Sequence, residues 1–406
     1  ATNRKRQTSD GQKLDEAVAL HSMTSLLRLK LAAGRWLGTI PKQLGALRDL
    51  GVLEMHDNSI SGTIPNELCQ LTKLTTLTLS ANWLEGPIPE CFAQLTSVEH
   101  IWLNNNHRLS GTIGSWVSQL SEKLTELPLS FNRLSGTIPP EFGELTKLAA
   151  LKVNDNNFTI GDSMDVWLLQ LTKVTEVLIS RNFKIESLPA TSLRNLHILE
   201  KFEAASRGSA QELAPLSLAA VQLPDSLRKL DLAGNNLHGS EIPHAWNDLE
   251  NLAYLDLSNC SLADGFNPWD FFEARKDSIQ TLLLNMNQLT KVPESIYRVH
   301  LLKLDLSHNS IASELRDVMR DIAPGREVVG SASFETSSLQ LLDLSHNNIT
   351  GTIPQNLFSD EWGTLAMAVL DLCWNQLEGT FPAVFSPLPM YSIDVRNNRL
   401  AGYLPP

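Results

Sequence analysis

A thirteen-residue block returns along the chain and limits the fold more than any other feature. Leu77-Thr-Leu-Ser-Ala-Asn82-Trp-Leu84-Glu-Gly86-Pro-Ile88-Pro89 has close copies in Leu127-Pro-Leu-Ser-Phe-Asn132-Arg-Leu134-Ser-Gly136-Thr-Ile-Pro139 and in Leu342-Asp-Leu-Ser-His-Asn347-Asn-Ile349-Thr-Gly351-Thr-Ile-Pro354. With asparagine as the register mark, the block recurs at positions 58, 82, 106, 132, 156, 182, 235, 287, 309, 347, 375 and 398. Gly34, Arg207 and Cys260 fill the same slot in three further units, giving fifteen units and a mean period of 26 residues. A fixed period of this length means stacked turns of chain, because no single turn can bury its own apolar face. Leu-x-Leu sends two apolar side chains to one side of a short strand and the intervening residues to the other. The asparagine follows where the chain turns, and its amide can satisfy backbone groups of the turns above and below. Gly and Ile-Pro then form a turn and a short extended piece, and a pattern such as Leu44-x-x-Leu47-x-x-Leu50 closes the coil.

This pattern resembles the plant-type leucine-rich repeat family, LxxLxLSxNxLxGxIP, over roughly residues 20–406. The resemblance implies an α/β repeat solenoid: a right-handed superhelix of about 15 repeats with a concave parallel β-sheet. Residues 1–19 read as an N-terminal flank and 20–406 as the solenoid, with Leu20, Met23 and Leu26 packing as a partial first unit. Gly-Thr-Ile-Pro is cleanest towards the two ends, at 38–41, 62–65, 136–139 and 351–354. In the middle it gives way to Ser187-Leu-Pro189 and Lys291-Val-Pro293. Irregular insertions are expected near 204–226 and 312–337, where the unit spacing is lost or stretched.

Composition agrees with a stack and excludes several functions. The 406 residues include 70 leucines, about 17%, well above the share in ordinary globular chains. The net charge of −12 disfavours nucleic acid, whose binders carry a basic face. The longest uncharged apolar stretch, Leu213 to Leu223, is too short for a membrane helix, which needs about 20 residues. Nor does an apolar signal segment open the chain. Plant-type extracellular members carry paired cysteines in end caps, whereas Cys69, Cys91, Cys260 and Cys373 are internal. Cys260 and Cys373 occupy register positions and read as structural. Cys69 and Cys91 fall in the closing segments of adjacent units, two places out of register, which argues against a disulfide. The chain stops midway through a unit at Leu-Pro-Pro. A bare solenoid end is unfavourable, so a longer polypeptide or a neighbouring chain covering the C-terminal end is expected.

No G-x-S-x-G, Walker loop, H-E-x-x-H or C-x-x-C is present, so the chain reads as no enzyme, with no cofactor. The outward column four places before the asparagine carries Asp231, Asp256, Asp305, Asp343, Asp371 and Asp394, the ordinary residue of Leu-Asp-Leu-Ser. His308 and His346 share the column just before the asparagine; a common form of this turn explains them better than a metal. Recognition has more support. Trp102 and Phe131 lie on neighbouring strands among Glu54, His56, His100, Lys152 and Arg181, and exposed aromatics beside Arg are what protein-binding hot spots look like. Trp374 and Tyr254 repeat the theme, while Trp36 and Trp83 sit at or beside inward positions and read as packing. Asn157-Phe-Thr159, Asn348-Ile-Thr350 and, more weakly, Asn259-Cys-Ser261 are glycosylation sequons. The reading is therefore a non-catalytic module binding a protein or peptide on its concave face, on a secreted or cell-surface protein. The alternative is a structural subunit held by its lateral faces, insertions and open C-terminal end.

Overall fold

The computed structural model describes residues 13–14, 22–208, 210–240, 242–264, 278–293, 296, 299–322, 339–354, 357, 367–382 and 390–402. The chain forms two compact units, Ala1–Leu199 and Glu200–Pro406. Each is a coil of repeats with its leucines inside.

In the first unit the Leu-x-Leu segments form parallel strands at Arg28–Lys30, Val52–Glu54, Thr76–Thr78 and His100–Trp102, paired in register. Pro128 then offers no N–H to the ladder, which narrows to single bridges from His100 to Glu126 and from Glu126 to Ala150. Regular strands resume at Ala150–Lys152 and Glu176–Leu178. The inward leucines, Leu53, Leu77, Leu79, Leu103 and Leu129 among them, are fully buried.

A second sheet of seven strands runs through the segment between the asparagine and the glycine, as in Ser59–Gly62, Trp83–Gly86 and Arg108–Gly111, from Leu37–Thr39 to Lys184–Ile185. Gly62 and Gly136 take φ of +77° and +80°, and a Cβ on either would stand within about 3 Å of the methyl of Thr39 or Thr112 in the turn beneath. Only glycine meets both demands. The sheet stops where Ser187-Leu-Pro189 replaces the glycine form, and a short pair, Glu378–Gly379 with Arg399–Leu400, occurs in the second unit. Proline opens the closing segments, and 3₁₀ turns such as Lys42–Ala46, Asn66–Gln70 and Glu90–Gln94 bury Leu44, Leu68 and Phe92.

The second unit places strands Lys201–Glu203, Lys229–Asp231, Tyr254–Asp256, Thr281–Leu283, Lys303–Asp305, Leu341–Asp343, Val369–Asp371 and Ser392–Asp394 side by side. The irregular stretch 204–226 is packed, not looped out. Leu216, Leu218, Val221 and Leu223 are buried, and the Trp246 indole N–H donates to the Val221 carbonyl at 2.8 Å. The start of the other irregular stretch is a helix, Leu315–Ile322, with Leu315, Val318, Met319 and Ile322 buried; residues 323–337 of it lie outside the described residues.

Asparagine runs through both units as a hydrogen-bonded ladder. Asn106 donates to the carbonyls of Leu79 and Leu103, each at 3.0 Å, and its Oδ1 accepts the Leu84 N–H at 3.1 Å. Asn82, Asn132, Asn156, Asn347 and Asn375 repeat the scheme in the buried core. Where cysteine replaces asparagine, the Cys260 thiol reaches the Leu232 carbonyl at 3.3 Å. The residue just before the asparagine is left-handed in almost every turn, including Phe131, His308, His346 and Trp374.

Four expectations need correction. Cys69 and Cys91 form a disulfide, with Cα atoms 5.7 Å apart. Residues in a 3₁₀ turn advance only about 2 Å each, so a two-place offset between adjacent turns still leaves the Cα atoms within disulfide range. Leu14, assigned to the flank, is buried, and Lys13 bridges to Leu37. Of the partial first unit, Met23 is exposed, Leu26 is half-buried and Leu20 lies outside the described residues. Trp83 is exposed as well, because Leu84 beside it takes the inward side of the strand.

Candidate recognition surface

Glu54, His100, Trp102 and Lys152 stand on the first unit's main strands, whereas His56, Phe131 and Arg181 lie in the turns that follow them. Trp102 is 37% exposed and Phe131 39%. The structure does not place the two rings together. Trp102 occupies the outward position between the two inward residues of its strand, whereas Phe131 is the corner residue of the next unit, at φ +60°. The ring that Trp102 meets is His56, two units back, with centroids 6.4 Å apart. Between them lie small side chains. Thr78 is flanked in register by Glu54 and Trp102, and it is buried although it points away from the core.

Glu126 is the residue that the sequence reading missed. Its carboxylate accepts the Trp102 indole N–H at 2.6 Å and lies 3.5 Å from His100 Nδ1. One signal was available: an indole N–H on a sheet face needs an acceptor, and Glu126 stands one strand on. The other charged residues pair across neighbouring strands. Lys30 meets Glu54 at 2.9 Å, Lys152 meets Glu176 at 2.6 Å, and Arg181 reaches Asp155 at 3.7 Å. His56 Nδ1 stands 2.9 Å from Asp57. The face thus has one fixed aromatic cluster, His56–Trp102–Glu126–His100, within a field of matched charges, with Phe131, Lys152 and Arg181 further along it.

The second unit's face is different. Its outward column carries Asp231, Asp256, Asp305, Asp343, Asp371 and Asp394, next to each other in register apart from Leu283. Burial, and then the neighbouring Asp256 charge, push the Asp231 carboxyl up to about 6. Burial likewise raises Asp343. Asp394 is held down by Arg396, whose guanidinium grips both carboxylate oxygens. Asp371, Cys373 and Asp394 bring possible ligand atoms within 4.8 Å of one another. Burial pushes the Cys373 thiol up to about 12. His308 and His346 stack on each other at 4.0 Å.

The sequons differ in access. Asn157 and Asn348 are exposed, with Thr159 half-buried and Thr350 exposed. Asn259 is half-buried and its Ser261 is buried. Among the described residues no helix is long and apolar enough to cross a membrane.

A model described as Leucine Rich Repeat matches residues 49–71, 73–95, 123–145, 226–249, 251–273 and 338–359, and a second leucine-rich repeat model matches 299–314. The chain is 30% identical over 233 residues to Receptor-like protein 7 of Arabidopsis thaliana, covering 53% of this chain and 22% of that protein. It spans only part of the curated relatives it matches, from 9 to 57% of their length. Two solved structures share the fold. One is the leucine-rich repeat protein LIC12759 of Leptospira interrogans, with TM-score 0.67, 22% identity, and 96% of this chain on 89% of that one. The other is the plant peptide hormone receptor RGFR1 in complex with RGF2, with TM-score 0.60, 22% identity, and 93% of this chain on 64% of that one.

Proposed function

Because the chain belongs to the leucine-rich repeat family, we propose that it is a non-catalytic recognition module whose first-unit strand face binds a protein or peptide. The observation that carries this is Trp102. Leucines already fill the core beneath it, yet a large ring stands partly in solvent, fixed by Glu126 and flanked by His56. A ring held this way loses little freedom on binding and offers a large contact area, as interface anchors do. The ion pairs around it, Lys30–Glu54 and Lys152–Glu176, suit a polar rim that selects among partners. Phe131 gives a second apolar contact further along the face.

An extracellular or cell-surface setting accompanies this reading. The Cys69–Cys91 disulfide favours an oxidising compartment, and the match to a receptor-like relative supports the same setting. The alternative, a structural subunit held by its lateral faces, draws on Trp83 and Phe183, both exposed away from the main strands.

One selection separates the two readings. A phage-displayed random peptide library is panned on the full chain, and enriched clones are retested on Trp102→Ala/Phe131→Ala and on Trp83→Ala/Phe183→Ala. Recognition by the strand face predicts a loss of about 2 kcal/mol or more with the first variant, unchanged melting, and no loss with the second. The opposite pattern would reject the strand face.

A further inference from the structure

A second aromatic feature stands on the second unit, built from residues that the reading above does not use. His308, His346 and Trp374 are the corner residues of three successive turns, and their rings stack in one row. His308 and His346 have centroids 4.0 Å apart at 11°, and His346 and Trp374 are 5.3 Å apart at 15°. Trp374 is 54% exposed, and Met286, at the corner one turn before His308, is also 54% exposed. Because the rings cover one another's faces, they present solvent with a continuous wall of edges.

Three residues before each ring, and running parallel to the wall, stand Asp305, Asp343 and Asp371, paired in register. The residues between wall and carboxylates are small and buried: Ser307, Ser345 and Cys373. One oxygen of each carboxylate accepts the backbone N–H two residues on, from Ser307, Ser345 and Cys373. The neighbouring side chains bond the carboxylates too: the Ser307 hydroxyl donates to the same Asp305 oxygen at 2.7 Å, and the Ser345 and Cys373 side chains hydrogen-bond Asp343 and Asp371, so each group is held in one orientation. Among the described residues none of the three carboxylates is in an ion pair. Lys303 stands two places before Asp305, and Arg396, just past the strand Ser392–Asp394, grips Asp394 and adds only a longer-range attraction to Asp371. The first unit pairs Glu54, Glu176 and Asp155 with Lys30, Lys152 and Arg181, whereas these three carboxylates have no ion-pair partner among the described residues beside an aromatic wall.

We propose that this row binds an extended cationic segment of a partner protein, with the methylene stems of Lys or Arg on the ring edges and their charged heads on the carboxylates. Long basic side chains combine an apolar stem with a charged head in this way. The spacing narrows the conformation. Neighbouring strands stand about 4.8 Å apart, and three residues of polyproline II advance about 9 Å while returning to the same face. A basic residue at every third position therefore meets every second strand, Asp305 and then Asp371. The proposal shares with the recognition reading only the use of outward strand positions, and it depends on different residues.

The test uses the full chain and a fluorescent peptide of four Pro-Pro-Arg repeats, read by anisotropy at low and at raised salt. Binding that weakens with salt is expected, along with no binding of the matching Pro-Pro-Glu peptide. Trp374→Ala and the pair Asp343→Asn/Asp371→Asn should each weaken binding tenfold or more at unchanged melting temperature. The pair Glu212→Gln/Glu250→Gln removes the same charge elsewhere and should leave binding intact, as should Trp102→Ala. If the Glu212/Glu250 variant loses as much as the Asp343/Asp371 variant, the attraction is general to an acidic protein and the proposal fails. It also fails if the peptide does not bind, or if Trp374→Ala changes nothing. Loss with Trp102→Ala alone would overturn it while leaving the first-unit surface standing.

Discussion

The asparagine ladder predicts a coupling between neighbouring turns whose size follows from the bond pattern. The Leu79 carbonyl accepts two side-chain amides, from Asn82 at 3.2 Å and from Asn106 at 3.0 Å. The Leu103 carbonyl likewise accepts Asn106 at 3.0 Å and Asn132 at 3.1 Å. Asn106→Leu keeps the branched outline of the side chain and removes its polar atoms. Both carbonyls then retain one amide, and the group left bare is the Leu84 N–H. A buried donor without a partner costs about 1–3 kcal/mol, so the single variant should lose about 2 kcal/mol, well short of the sum of three bonds. Asn82→Leu alone leaves Ile60 N–H bare in the same way. Together the two strip the Leu79 carbonyl of both side-chain amides, a loss that neither single variant contains. The double variant should therefore exceed the sum of the singles by about 1–3 kcal/mol. Asn82→Leu with Asn156→Leu shares no carbonyl and should add to within about 0.5 kcal/mol. Urea unfolding of the full chain, followed by circular dichroism at matched slopes, measures the cycle. Additivity in the adjacent pair would refute the shared-carbonyl argument.

Three further outcomes are expected. Replacing Cys69 and Cys91 with serine, or reducing the bond, should cost about 3 kcal/mol, the chain-entropy value for a closed loop of this length, measured as a shift in the urea midpoint. Because the Asp231 carboxyl is raised to about 6 in the fold from 3.8, the native state holds the extra proton between those values. Stability should thus fall by roughly 2 kcal/mol as pH rises from about 4 to about 6. Asp231→Asn should remove that slope, and an unchanged slope would assign it elsewhere. Secretion from a glycosylating host should add glycans at Asn157 and Asn348 and none at Asn259, whose Ser261 is buried; intact mass after single Asn→Gln changes reads this directly.

The coil was legible in the sequence because its rules are local and repeated. Leu77 and Leu79 are inward by alternation, Gly62 marks a backbone corner, and Asn82 sits where turn amides need a partner. The disulfide was hidden because pairing by register ignores how little a 3₁₀ turn advances per residue. The candidate surface was legible only as columns. That Trp102 and Phe131 belong to adjacent units can be read from spacing. That Trp102 turns to His56 and Glu126, leaving Phe131 apart, depends on side-chain directions that spacing does not carry. The stacking of His346 against Trp374 was invisible for the same reason, although both lie in one column.

The left-handed corner before each asparagine has a consequence for how such a chain can change. Glycine, asparagine and aspartate tolerate this corner best, and Asp57, Asn105, Asp155, Asn259 and Asn397 stand there. Other residues meet a similar backbone penalty of about 1–2 kcal/mol, whether Ala81, Phe131, Met286 or Trp374. Side chains branched at Cβ fit this geometry worst, and no Val, Ile or Thr occupies a left-handed corner among the described residues. Since the turn imposes the same conformation on whatever stands there, exchanging one unbranched side chain for another alters the exterior while the leucines beneath keep their places. A row of such corners behaves like movable type set in a fixed frame. Binding preference can be rewritten one character per turn, and a library confined to these positions would explore new partners while the scaffold stays constant.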